Sequence, residues 1–242
     1  MAVAVQAHPQ HVDIDEVDID EVDSAIYQDT RNITTDFMIY AYEKDYIMQN
    51  VQPEINPHIQ LPPLPNNLIR GRVMNPEHKR VALRIKQQAD VLRLTVQPEI
   101  RNAVDGMRID WGAPVRDLYG SFRDVVETLL KDTIDVSGLT VLFLFTYEFG
   151  KKVLRHAFGE NIFQIVEFTT KFIHKEKVVK VANKAAVTIA DWVVSQGGWS
   201  NVFLEAGGAV GLGAMLSIHW KTVGIFAVGN LLLWRLIKTL NV

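Results

Sequence analysis

Apolar residues recur at steps near three, four or seven along much of the chain, the period of helices with one buried face. Ser24 can act as the N-cap of a first helix. The apolar stripe of that helix consists of Ile26, Ile33, Phe37, Tyr40 and Ile47. Asn75 can cap a second helix with Pro76 in its first position, and Pro98 is expected to stop it, which gives helix 76–97. No alternating strand pattern of useful length appears, so the predicted fold is all-α.

The middle of the chain predicts further helices around a very apolar one. After a short helix to about Arg108, Pro114 opens an amphipathic helix. Its apolar stripe consists of Val115, Leu118, Tyr119, Phe122, Val125, Val126 and Leu129. Residues 139–147 are almost continuously apolar, so we expect a helix over 139–157 at the centre of a bundle. Two more helical patterns follow, at about 161–175 and 176–195.

Two other segments differ from this helical body, which is expected to span residues 24–205. Residues 13–23 form a five-residue acidic repeat whose carboxylates repel one another, so residues 1–23 are expected to be a disordered arm. Residues 51–65 contain five prolines, which lack amide donors and keep their predecessors extended. That stretch is predicted to be a linker.

The C-terminal segment 206–242 is predicted to be a hydrophobic tail that anchors the chain as a transmembrane helix. Its most apolar part, 222–237, would be ~24 Å long as a helix, which is short for a ~30 Å hydrocarbon core. Flanking basic residues can reach the headgroups and close the gap. The residues expected in the bilayer are Ile225, Phe226, Val228, Leu231, Leu232, Leu233 and Trp234. The alternatives are a hydrophobic core helix and a tail stored in a groove of the protein until it moves to the membrane.

Composition excludes several classes of function. The chain has 242 residues and a formal net charge of −3, which gives no general attraction for DNA or RNA, so nucleic acid is not an expected partner. The sequence has no cysteine, which excludes disulfides and thiol chemistry. Its seven histidines are scattered without a two-His helical pair, and no nucleophile elbow or phosphate loop is visible. We therefore expect no enzyme, no metal site and no cofactor.

The segment 191–199 carries the first specific motif. It reads Asp-Trp-Val-Val-Ser-Gln-Gly-Gly-Trp, and it resembles the second homology region of the Bcl-2 family, where a helix ends in Gly-Gly-Trp. Gly197 and Gly198 can reverse the chain tightly, while Trp192 and Trp199 can pack large surfaces around the corner. The alternative is an ordinary helix C-cap with core tryptophans.

Other segments extend this resemblance from about residue 24 to the C-terminus. Residues 26–40 are similar to the first helix of Bax/Bak-like members of the family, and residues 61–65 are similar to the proline-bearing linker that follows it. Residues 220–226 resemble the beginning of a Bax-like tail. The acidic arm lies outside the resemblance.

Helix 76–97 resembles the third homology region, a helix that binds in the groove of a partner. The matching positions are Val81, Ile85, Gln88, Ala89, Asp90 and Leu92. In such a helix, apolar anchors share one face, a small residue permits close approach and the aspartate meets an arginine. Gln88 replaces an apolar anchor, and Ala89 replaces the usual glycine. A plain amphipathic core helix is the alternative.

The first homology region departs further from the family pattern. Residues 134–138 stand where the family has Asn-Trp-Gly-Arg, so the groove arginine is missing. The aligned residues are Asp135, Val136, Ser137 and Gly138. The motif at residues 110–112, Asp-Trp-Gly, looks similar but precedes an amphipathic helix instead of the apolar one, and we interpret it as a decoy. Residues 158–175 are interpreted as an insertion beside the central hairpin.

The resemblance implies a Bcl-2-like helical bundle with a groove lined by helices two to five. It implies an apoptosis regulator at the mitochondrial outer membrane, tail-anchored or cycling with the cytosol. The favoured role is a pro-apoptotic effector that oligomerises and perforates the membrane. Its expected partners are other Bcl-2 family proteins and their amphipathic death helices, further copies of itself and the lipid bilayer. The alternatives are a pro-survival protein whose groove captures such helices and, more remotely, a colicin-like pore-forming toxin.

The acidic arm contains two copies of Asp-Glu-Val-Asp, at 15–18 and 20–23. This tetrapeptide resembles the preferred cleavage sequence of executioner caspases, which would cut after Asp18 or Asp23. Ser24, which follows the second copy, is small. The alternative is a solvated acidic tail that no protease recognises.

Overall fold

The computed structural model describes residues 21–51, 75–107, 109–110, 114–130, 134–156, 162–179 and 186–205. Within these ranges lie the helices α1 (Glu21–Val51), α2 (Pro76–Gly106), α3 (Tyr119–Leu129), α4 (Val136–His156), α5 (Ile162–Lys175) and α6 (Ile189–Ser195). A 3-10 turn, Val115–Leu118, precedes α3, and a π-helical turn, Asn201–Glu205, follows α6. The described ranges contain no β-strand, only an antiparallel bridge between Val179 and Val187. The prediction of a helical fold is confirmed for them.

Helix α4 is the central helix of the bundle. Every residue from position 138 to position 151 is buried, because α1, α2, α3 and α5 all pack against it. The rings of Phe122 in α3 and Phe145 in α4 lie 5.4 Å apart, and those of Phe37 in α1 and Phe143 in α4 lie 5.6 Å apart. A helix that is apolar on all sides can be stable in water only in such a position. The predicted central helix is therefore present, with bounds shifted by up to three residues.

Helices α1 and α2 lie side by side and run in the same direction. His78 Nε2 lies 2.9 Å from Asp29 Oδ1, near the beginning of each helix. Further along, Arg93 Nη1 lies 3.0 Å from Asp45 Oδ1. The partners advance together along both helices, so polar contacts hold α2 against α1 over several turns.

Helix α1 begins earlier than expected. Its first residue is Glu21, so Ser24 lies inside the helix and is not its N-cap. The last residues of the predicted arm are therefore helical. Acidic side chains in a first turn favour a helix because they interact with the positive end of its dipole, which the spacing of the apolar stripe could not indicate.

Helix α2 does not stop at Pro98. It continues through this proline to Gly106 and absorbs the short helix predicted to end near Arg108. Pro98 itself is exposed, while the apolar stripe on both sides of it is buried: Val96, Ile100 and Val104. Proline removes one hydrogen bond and costs a helix ~3 kcal/mol. Burial of the flanking side chains at ~1.5–3 kcal/mol each outweighs that cost.

Within the stretch 158–175, interpreted from the sequence as an insertion beside the central hairpin, α5 contributes buried side chains to the core: Ile165, Val166, Phe168, Phe172 and Ile173. The prediction of one helix over residues 176–195 is wrong. Val179 and Val187 pair as extended backbone. Helix α6 begins only at Ile189, and its N-cap Thr188 accepts a hydrogen bond at Oγ1 from Asp191 N at 3.0 Å. This capping box fixes the beginning of α6.

Among the helices of the described ranges, none combines the length and the apolar character that crossing a bilayer requires. The tail 206–242, with the seven residues predicted to enter the membrane, lies outside the described residues, and so does the linker after Val51.

Candidate functional site

The candidate site is the face of α2 that carries the predicted third homology region. Its apolar positions are at most 2% exposed: Val81, Ile85, Ala89 and Leu92. Helix α2 begins where the sequence predicts, because Asn75 Oδ1 accepts a hydrogen bond from Glu77 N at 2.9 Å and Pro76 occupies the first turn. In this state, α2 packs against α1 and α4 of its own chain, and its apolar anchors are inaccessible to a partner.

Gln88, where the family pattern has an apolar anchor, is also buried. Its Oε1 accepts a hydrogen bond of 3.1 Å from the hydroxyl of Thr140, near the beginning of α4. The same hydroxyl lies 2.8 Å from the carbonyl oxygen of Val136. A buried amide without a partner costs ~1–3 kcal/mol, so the threonine explains how a polar side chain fits among the anchors.

Two side chains of α1 are the partners of Asp90. Asp90 Oδ1 lies 2.7 Å from Lys44 Nζ, and Asp90 Oδ2 accepts a hydrogen bond of 3.2 Å from the Tyr40 hydroxyl. Burial, followed by the charge of Asp90, raises the pKa of Tyr40, so the phenol stays protonated and donates. The resemblance implies an arginine as partner of this aspartate. The structure instead provides a lysine and a phenol from the neighbouring helix of the same chain.

The predicted first homology region forms the beginning of α4. Asp135 Oδ1 accepts a hydrogen bond of 2.7 Å from Gly138 N and so caps the first turn. The three residues that follow the cap are half-buried or buried: Val136, Ser137 and Gly138. The segment supplies no cation to a groove. Asp110, the first residue of the similar motif, is exposed before α3, and the other two residues of that motif lie outside the described ranges.

Our sequence reasoning missed a network of charges among α1, α2 and α4. Asp45 of α1 accepts hydrogen bonds from Arg93 Nη1 at 3.0 Å, from the Tyr147 hydroxyl at 2.6 Å and from Lys151 Nζ at 3.0 Å. The side chain of Lys151 is only 2% exposed. One carboxylate on α1 thus joins a side chain of α2 to two side chains of the central helix.

Electrostatics fix the protonation states in this network. Burial raises the pKa of Asp45, but Lys151, Arg93 and the Tyr147 hydroxyl together lower it further, so the pKa lies below its ordinary value of 3.8. Burial, followed by the charge of Asp45, raises the pKa of Tyr147 well above 10.0. At neutral pH, Asp45 is ionised and Tyr147 is a hydrogen-bond donor.

Glu148 is the second acceptor of the same network. Its Oε1 lies 2.9 Å from Lys151 Nζ, 2.6 Å from Gln97 Nε2 and 3.5 Å from Arg101 Nε. Arg93, Gln97 and Arg101 follow one another at four-residue steps along α2. This polar stripe, together with a glutamate and a lysine three residues apart in an otherwise apolar helix, is a sequence signal that could have predicted the network.

The Gly-Gly corner after α6, in the predicted second homology region, is a tight chain reversal. Gly197 and Gly198 have φ angles of 87° and 97°, which residues with a side chain rarely adopt. Gly198 N donates to the carbonyl oxygen of Val193 at 2.9 Å, which satisfies a free carbonyl of the last turn. A Cβ atom at Gly197 would clash with the side-chain amide of Asn201. A larger residue there requires the Asn201 side chain to move.

The two tryptophans of this corner both pack against the core. Trp199 is 4% exposed, and its ring lies 6.3 Å from Phe143 of the central helix. Its Nε1 donates a hydrogen bond of 3.1 Å to Thr30 Oγ1 of α1. Trp192 is half-buried. The segment 191–199 therefore connects the C-terminal part of the described chain to α1 and α4.

Of the predicted cleavage residues, Asp23 lies in the first turn of α1, whereas Asp18 lies outside the described ranges. No group of three or more His, Asp or Glu side chains that could hold a metal ion occurs in the part of the chain that the structure describes.

An apolar central helix enclosed by amphipathic helices, with a Gly-Gly corner docked onto it, is the Bcl-2-like fold. The crystal structure of trBcl-2L2 from Trichoplax adhaerens, bound to trBak BH3, is similar to this chain with a TM-score of 0.52. The two chains are 15% identical, and the match covers 75% of this chain and 99% of that one. No protein-family model and no curated protein sequence matches the chain. The likeness shows the fold.

Proposed function

We propose that this chain regulates apoptosis as a Bax/Bak-like effector, which releases α2, oligomerises and perforates the mitochondrial outer membrane. The observation that carries the proposal is the state of α2. Four apolar positions in the register of a groove-binding helix are buried inside the chain's own bundle. Its polar residues meet partners on α1 and α4 at the edges of that face. Such a helix could bind a second copy only after it leaves the bundle.

The contacts that α2 makes within its own bundle can be replaced by contacts with another molecule. The pair of Asp90 and Lys44 is about one-third exposed, and such pairs contribute only ~0–1 kcal/mol. The apolar face, in contrast, would lose ~1.5–3 kcal/mol for each side chain left in water. Release of α2 is therefore favourable only where another groove, or lipid, covers the same face. We infer that the partners are death helices of related proteins, further copies of this chain and a bilayer, into which residues 222–237 would insert as the anchor.

A second candidate function is a pro-survival role, in which the groove captures death helices without perforating the membrane. The observation that favours it belongs to the neighbour: trBcl-2L2 was crystallised with trBak BH3 bound. A bundle of the same fold could take up a helix in the same way. The missing arginine at 135–138 weakens this alternative, because the aspartate of a captured helix would lack that cation.

Dye release from liposomes tests the proposal. The full-length chain is incubated with vesicles of mitochondrial lipid composition, alone and with a peptide of its own residues 76–97. We expect the peptide to trigger release, because its apolar face can occupy the groove of a second molecule and displace the resident helix. The matched control is the same peptide with Ile85→Glu, which keeps the length and removes a central anchor without touching the folded protein.

The outcomes separate the candidates. Release that depends on Ile85 of the peptide supports the effector. Tight peptide binding without release would identify the pro-survival role and overturn our first choice. Release driven only by acid, with no response to peptide, would indicate a colicin-like toxin.

A further inference from the structure

The two Asp-Glu-Val-Asp sequences differ in the residue that follows them. The first is followed by Ile19, which is bulky and β-branched, and the second by Ser24, which is small. An endoprotease that cleaves after aspartate holds the residues before the cut in an extended conformation and must fit the next side chain beside its nucleophile. The residue types therefore favour the bond between Asp23 and Ser24.

The structure places this bond in the first turn of α1, which begins at Glu21. The first four amides of a helix have no intrahelical acceptor, and helix ends fray. Ala25 is exposed, and among the side chains of α1 that the structure describes, the first buried one is that of Ile26. Unwinding residues 21–25 would leave the buried side chains from Ile26 onward in place. The extended conformation that a protease needs is accessible there without global unfolding.

We propose that the Asp23–Ser24 bond is a processing site for an aspartate-specific cysteine endoprotease with the Asp-Glu-Val-Asp preference of executioner caspases. One water molecule is consumed. The bond between the Asp23 carbonyl carbon and the Ser24 nitrogen breaks, which leaves a carboxylate on the released arm and an amine on Ser24. Ser24 is then the first residue of a helix whose buried face begins two residues later.

Processing reverses the charge of the chain. Residues 1–23 contain seven Asp and Glu and no Lys or Arg, so their removal changes the formal net charge from −3 to +4. An anionic bilayer repels the intact chain and attracts the processed one. This membrane consequence rests on the proposed function, whereas the processing site does not.

Incubation of the full-length chain with an executioner caspase tests the site, with intact mass and N-terminal sequencing as readouts. We expect a main product that begins at Ser24. Asp23→Glu keeps the charge and should slow formation of that product by more than ~10-fold, because a pocket built for aspartate rejects the longer side chain. Asp18→Glu is the matched control and should be processed like the parent. An uncut chain, or a main product that begins at Ile19, overturns the proposal.

Flotation with anionic and neutral vesicles tests the charge effect separately. The processed chain should bind anionic vesicles better than the intact chain at low salt, and the difference should disappear at high salt. Equal binding of both forms would overturn the charge effect. Dye release is measured on the same samples, so failure of cleavage and failure of pore formation are distinguishable.

Discussion

Lys151 Nζ of the central helix lies 3.0 Å from Asp45 Oδ2 of α1, although the two residues are 106 positions apart in the sequence. The lysine also lies 2.9 Å from Glu148 Oε1. One buried cation thus serves two carboxylates, while Arg93 gives Asp45 a further partner from α2. The network makes the positions of α1, α2 and α4 depend on one another.

Lys151→Met should therefore destabilise the fold strongly. The methionine fills similar space but leaves Glu148 and Asp45 without their shared buried cation, and breaking such a pair costs ~3–5 kcal/mol. Urea unfolding followed by circular dichroism measures the change. Lys175→Met, at an exposed site in the last turn of α5, is the control and should change stability by less than ~0.5 kcal/mol. Similar stabilities for both variants would show that the network contributes little.

Asp45 should also give the fold a defined sensitivity to acid. Its folded pKa lies below the ordinary value of 3.8, so the folded state binds fewer protons than the unfolded chain near that pH. The resulting stability is fully present above about pH 5 and is lost as the pH falls through the folded pKa. Asp45→Asn should be less stable than the parent at neutral pH and should lose less on acidification. Thermal midpoints of both proteins between pH 7 and pH 3 check this, and parallel curves would contradict it.

The sequence predicted the parts of the fold that depend on local pattern. Asn75 and Pro76 start α2 as expected, and the apolar run from 139 to 147 became the central helix, because caps and periodicity act within a few residues. The continuation through Pro98 was missed, because burial on both sides of the proline decides it. Only a tertiary contact could reveal that.

In the candidate site, too, the sequence predicted the features that depend on local pattern and missed those that depend on tertiary contacts. The apolar positions of α2 follow from the register that the resemblance implies, and helical spacing places them on one face. The partners of Asp90 were not identified, because Lys44 and Tyr40 lie on another helix and nothing local links them to it. Glu148 and Lys151 are visible in the sequence as opposite charges three residues apart, but nothing local links them to Asp45 of α1.

Lys44→Met tests whether the contact between α1 and Asp90 restrains α2. The pair is about one-third exposed, so global stability should fall by no more than ~1 kcal/mol. Under the proposed function, α2 should be released more easily, and half-maximal dye release should need less of the 76–97 peptide. Lys79→Met is the control, because this residue is exposed in the first turns of α2. An unchanged peptide requirement would show that this contact does not limit release.

The Gly-Gly corner allows backbone strain and steric contact to be measured separately. Gly197→Ala combines backbone strain with a steric clash, since its φ is 87° and its Cβ would clash with Asn201 Nδ2. Gly198→Ala introduces only the strain of a φ of 97°. Placing alanine in the left-handed region costs ~1–2 kcal/mol, so Gly198→Ala should lose about that much and Gly197→Ala more. Gly120→Ala in α3 has ordinary φ and open space, and should be neutral or slightly stabilising. Chemical denaturation of the three variants gives the order, and equal losses at positions 197 and 198 would show that Asn201 moves aside at no cost.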